Sequence, residues 1–150
     1  MSIADRAEAL FMEGYNCSQA VFGAIAPDYG VDFETAMKLA SSLGGGMGRL
    51  REVCGACSGA FLAAGLAKGY STPEKGSVKA DHYALIRKMA EEFKAVHGSI
   101  VCREILGKNA EIGGNPEERT PEYYAKRPCV RCIRTAAEVF EREIGAEKGE

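Results

Sequence analysis

Six cysteines carry most of the chemistry available to this chain of 150 residues. Two pairs stand at CxxC spacing, Cys54-Gly-Ala-Cys57 and Cys129-Val-Arg-Cys132, and Cys17 and Cys102 stand alone. A thiolate is a nucleophile, a metal ligand and a redox partner, whereas a thiol in apolar surroundings is a small inert hydrophobe. Cytosolic reductants keep thiols reduced, so six cysteines in a cytoplasmic chain point to redox cycling, a cluster or metal binding rather than a static disulfide framework. The Cys54 pair follows a glycine-rich turn, Gly44 to Gly48, and two cations, Arg49 and Arg51. Cations upstream of a helix-borne thiol favour its thiolate.

The elements that must position these thiols have helical period nearly throughout, and no strand pattern stands out. Ser2 with Asp5, and Asn16 with Gln19, have capping-box spacing at two helix starts, and Asp32 opens a third helix with Phe33, Ala36, Met37 and Ala40 inward. Gly44 to Gly46 form a turn that permits close backbone approach, and no phosphate-loop sequence follows. A fourth helix is expected from near Arg51 or Glu52, with Gly55, Gly59 and Ala63 giving it a smooth side for another helix. Ser77 to His97 form the longest helix, with Val78, Tyr83, Ile86, Met89, Phe93 and Val96 as its apolar stripe. Its two histidines, His82 and His97, read as structural or solvent-facing. Ser99 caps a short helix carrying Cys102, and residues 108–120 read as a polar loop, a surface excursion in preference to a lid over the thiols. Pro128 begins a last helix, from about Cys129 to Ile144. The expected fold is all-α, a single-domain bundle of about six to eight helices over residues 1–146, with a frayed tail at 147–150.

Cys17, Cys54, Cys102 and Cys129 all fall in the first turn of an expected helix. Helix N-termini carry partial positive charge and unpaired amide donors, which lower a thiol's pKa. Convergence of the four starts would make one site and would suit three chemistries. Thiol pairs could cycle between dithiol and disulfide, four thiolates could hold an iron–sulfur cluster, or four could hold zinc tetrahedrally. A zinc-binding structural or sensing module, and a helical partner of a transporter or larger redox enzyme, are the readings without turnover. Cys57 and Cys132, at i+3, are auxiliary thiols or core neighbours. CGAC at a helix start looks like a dithiol active site, but the βαβ pattern of the thioredoxin fold is missing.

Composition narrows the function further. The chain is 46% hydrophobic with a net charge of −2, enough apolar content for one core and too little cationic bias for nucleic acid. No apolar run approaches the roughly 18 residues that cross a bilayer, so direct membrane insertion is not expected. Asp5, Arg6 and Glu8 interrupt the N-terminal apolar pattern, which therefore lacks a secretory core, and a cytoplasmic location is expected.

The sequence resembles the family of redox-active proteins named for a C_GCAxxG_C_C pattern. The CGAxxG motif stands here as Cys54-Gly55-Ala56-Cys57-Ser58-Gly59. Its surroundings also match, with Asn16-Cys17-Ser18-Gln19-Ala20-Val21 and Gly46-Met47-Gly48 before it and the segment from Gly98 to Gly107 after it. The resemblance runs from about Asn16 to Phe140 and implies that Cys17, Cys54, Cys102 and Cys129 are the four shared cysteines, with Cys132 the alternative for the last. Cys57 occupies a variable position of the motif and looks like an addition in this chain. The resemblance implies electron transfer by thiol/disulfide exchange or a bound cluster. Its implied partners are an electron donor or acceptor protein and, because the family lies near transporter genes, a transporter or redox complex.

Overall fold

A computed structural model of the chain describes residues 1–73 and 76–145. Eight α-helices lie among them: α1 Ile3–Met12, α2 Cys17–Ile25, α3 Phe33–Ala40, α4 Gly55–Lys68, α5 Ser77–His97, α6 Cys102–Leu106, α7 Pro121–Lys126 and α8 Cys129–Glu143. The fold is all-α and single-domain, as the periodicity implies. Among the described residues the one β-type pairing is an isolated antiparallel bridge, Val53 to Val101. No helix among them is long and apolar enough to cross a membrane. The expected tail at 147–150, with residue 146, lies outside the described residues.

Local chemistry sets the helix starts. Ser2 and Asp5 close a reciprocal capping box on α1, Asn16 and Gln19 close another on α2, and the Asp32 side chain caps α3. Gly98, at φ 83°, ends α5. The core forms where α2 packs against α1 and α4, and α8 packs against α1, α4 and α5. Phe11, Phe22, Phe93 and Phe140 are fully buried there, each contributing about 1.5–3 kcal/mol of transfer free energy. The smooth side of α4 works as its spacing implies. A Cβ on Gly59 would meet the Ser18 carbonyl oxygen at 2.8 Å, and one on Gly55 would meet Cys17 Cβ at 3.2 Å. These glycines let α4 lie directly on the start of α2, which brings Cys54 to Cys17.

Two sequence expectations about exposure change. Phe33 is 39% exposed; it leaves the core to pack edge-on against Tyr15, at 5.7 Å between ring centres. On α5 only Met89 and Phe93 are buried, while Val78, Tyr83 and Val96 are exposed. The helix is as long as expected, but its first half extends beyond the elements that cover the second.

Candidate thiol site

The segment between α3 and α4 shapes the site. Gly45, Gly46, Met47, Gly48, Arg49 and Arg51 all have positive φ, between 57° and 69°. Glycine is required at position 46. A Cβ there would lie 2.7 Å from Arg51 Cα, 2.7 Å from the Glu52 amide nitrogen and 2.8 Å from Cys102 Cβ. The chain then pairs briefly with the segment before α6. The Cys54 amide donates to the Ile100 carbonyl at 2.7 Å, the Cys102 amide to Glu52 at 2.5 Å and the Arg103 amide to Arg51 at 3.1 Å. This ribbon holds Cys54 and Cys102 side by side, although 48 positions separate them in sequence (102 − 54).

The pairing also corrects the expected start of α4. Residues Arg51 to Val53 are spent on the ribbon, so the helix begins at Gly55 and Cys54 is its N-cap. The start of α6 shifts as well. Val101 is its N-cap and Cys102 its first residue, while the Ser99 hydroxyl accepts from the Val101 amide and donates to Glu104. Cys17 and Cys129 are the first residues of α2 and α8. All four cysteines therefore stand at helix starts, and all four line one cavity of about 340 Å³. Cys132 lines it too, whereas Cys57 sits one turn deeper behind Cys54 and is fully buried.

Within the cavity the thiols form two hydrogen-bonded groups. Cys132 and Cys57 both donate to Cys54, and the amides of Ala56 and Cys57 at the start of α4 add to them. These donors hold the Cys54 thiol well below its ordinary value, with the Cys132 contact the largest cause, although burial opposes them. Cys57 and Cys132 are correspondingly pushed up, Cys57 mainly by burial and Cys132 mainly by its bond to Cys54. In the second group Cys17 donates to Cys129, so Cys129 is lowered and Cys17 raised. Each group thus pairs one sulfur shifted down with at least one shifted up. Cys102 differs. Burial pushes it up, and its polar neighbour is Arg51, whose Nη1 lies 3.7 Å from its sulfur. Arg51 therefore reaches Cys102, not Cys54; Arg49 turns to the Gly113 carbonyl at 2.8 Å.

Two contributors were not legible in the sequence. His97 Nδ1 stands 3.9 Å from Cys132 Sγ, and its Nε2 stands 2.9 Å from Thr135 Oγ1. Burial lowers its pKa, so the ring is neutral near pH 7. His97 also lines a second cavity, together with Arg131 and Pro128. His82, by contrast, packs edge-on against Tyr70, away from the thiols. The other contributor is the segment after α6. Gly114, Pro116, Glu117 and Arg119 line the thiol cavity, so residues 108–120 close over it instead of making a plain surface excursion. Arg119 anchors them. It donates to the carbonyls of Phe11 at 2.9 Å and Tyr15 at 2.7 Å, and its guanidinium lies 4.1 Å over the Phe11 ring.

A helical protein with five of its six thiols lining one cavity belongs, by fold and site, to the class of cysteine-cluster proteins. Residues 15–143 match the model of the family described as putative redox-active protein (C_GCAxxG_C_C), and the chain belongs to that family. No curated protein and no solved structure matches the chain.

Proposed function

We propose that the protein is a dithiol/disulfide redox protein in which Cys54 is the attacking thiolate and Cys132 its resolving partner. The supporting observation is the asymmetry of the group: two thiol donors and two amides surround Cys54 and pull its pKa well down, while the bond to Cys54 pushes the neighbouring Cys132 up. An ordinary thiol of pKa about 8.5 is only about 3% thiolate at pH 7, so this arrangement supplies a nucleophile that the unfolded chain lacks. In exchange with a disulfide acceptor, Cys54 attacks one sulfur and the other leaves as a thiolate. Cys132 then attacks the Cys54 sulfur of the mixed disulfide and releases the second thiolate. The acceptor gains two electrons, the protein gains one disulfide, and the proton from Cys132 passes to neutral His97. Cys17 and Cys129 form a second pair able to carry two more electrons.

The test is the pH profile of iodoacetamide modification, resolved by residue, on reduced protein. Cys54 should react as a thiolate at pH values where the denatured chain is mostly thiol. A Cys54 profile that coincides with the denatured one refutes the assignment.

A second reading has its own support: Cys17, Cys54, Cys102 and Cys129 all sit at helix starts around one cavity, as thiolate ligands of an iron–sulfur cluster or zinc would. Visible absorption of anaerobically purified protein reports a cluster, and metal analysis at about one zinc per chain reports zinc. The cytoplasm, with a donor or acceptor protein, a transporter or a redox complex as partner, is the proposed setting.

A further inference from the structure

The cavity in front of the thiols is strongly cationic. Arg49, Arg51, Arg119 and Arg127 line it, and the one acid among its lining residues is Glu117. Arg119 donates from both terminal nitrogens to the carbonyls of Phe11, Gly14 and Tyr15 and to the Tyr124 hydroxyl. Arg49 and Arg127 share the Glu117 carboxylate, Arg49 at 3.9 Å and Arg127 in direct contact. Arg51 is the exception. It is 3% exposed, its Nε donates to the Glu111 carbonyl at 3.0 Å, and its Nη1 faces Cys102. Its Nη2 is buried without an acceptor. A guanidinium does not lose its proton in proteins, so this is a buried cation with no carboxylate against it among the described residues. Such a group is expensive to keep unless an anion completes it.

We propose that the thiol cavity is the binding site of a small oxyanion, or of a small molecule bearing an oxyanion group, held by Arg51 beside Cys102. The volume of about 340 Å³ suits a small molecule. Arginine pairs with phosphate- and sulfate-like groups through two parallel N–H donors. Glu117 already occupies the other two arginines at the mouth as an internal anion, and an incoming oxyanion competes with it. The proposal rests on the redox reading for what the thiols then do to the ligand, but not for the binding itself.

The test uses reduced, metal-free full-length protein and calorimetric titration with inorganic sulfate and inorganic phosphate, against chloride at matched ionic strength. At least one oxyanion should bind ten or more times tighter than chloride and slow iodoacetamide modification of Cys102 several-fold. Glu117→Gln, at an exposed position, should bind several-fold tighter, and Arg51→Met should lose binding by tenfold or more. Failure of both oxyanions to exceed chloride, in the wild-type chain and in Glu117→Gln alike, overturns the proposal. So does retention of full affinity by a folded Arg51→Met. A thiol count that dithiothreitol leaves unchanged, measured on the same sample, removes the redox reading and leaves the anion site standing.

Discussion

Gly46→Ala tests whether the glycine-rich segment exists to bring backbone against the Cys102 helix. The substitution has two separable costs. A side chain at φ 69° costs about 1–2 kcal/mol in the left-handed region. The new methyl also meets Arg51 Cα and the Glu52 amide at 2.7 Å, and Cys102 Cβ at 2.8 Å. Two of those three atoms are backbone, fixed by the ribbon, so they cannot swing aside; overpacking of this kind costs about 1–3 kcal/mol. The sum is about 2–5 kcal/mol, a large part of a domain's usual stability of roughly 5–15 kcal/mol. Gly48→Ala is the control, because it has φ 57° and nothing within 4 Å of the added Cβ. It should cost only the conformational part. With a urea m-value near 2 kcal/mol/M, the two unfolding midpoints should differ by about 0.5–1.5 M. Urea titration followed by circular dichroism measures this directly. Midpoints within about 0.2 M of each other would show that space at Gly46 is not limiting.

Further outcomes follow from the thiol network. Cys132→Ala should raise the pH of half-maximal Cys54 alkylation more than Cys57→Ala does, because the Cys132 contact is the larger cause of its depression. The pKa of His97 is lowered on folding from 6.5, so the unfolded chain binds the proton better. The stability it contributes is present above pH 6.5 and is lost as pH falls through the folded value; urea titrations across that range should show a decline that His97→Gln reduces. Arg119→Ala leaves the Phe11 and Tyr15 carbonyls without their charged donor and should cost about 2–4 kcal/mol. It should also speed alkylation of Cys129, and unchanged rates would mean that residues 108–120 do not restrict access.

Parts of this structure were readable because their causes are local. The capping boxes at Ser2 and Asn16 are contacts across three residues, and the span of α5 is delimited by Gly76 and Gly98. The grouping of Cys17, Cys54, Cys102 and Cys129 at helix starts was visible for the same reason. The start of α4 was not, because Met47, Arg49 and Arg51 adopt positive φ, and non-glycine residues give no sequence signal for it. That conformation is held by partners far along the chain, in the segment before α6 and at the carbonyls of Glu111 and Gly113. The cover over the thiols has no local signal, because its anchor joins Arg119 to Phe11, 108 positions away. His97 reads from sequence as structural or solvent-facing because periodicity carries no information about a cysteine 35 residues later. The exposed half of α5 shows the converse. A stripe at helical spacing defines a face, but not whether anything packs on it.

In the proposed mechanism Cys54 and Cys132 exchange electrons as a pair, with Cys17 and Cys129 as a second pair. Mass-spectrometric disulfide mapping after mild diamide oxidation of the reduced, metal-free protein tests it most directly. Cys54–Cys132 and Cys17–Cys129 linkages are expected, both reversed by dithiothreitol. Recovery of all six cysteines as free thiols under those conditions would contradict it.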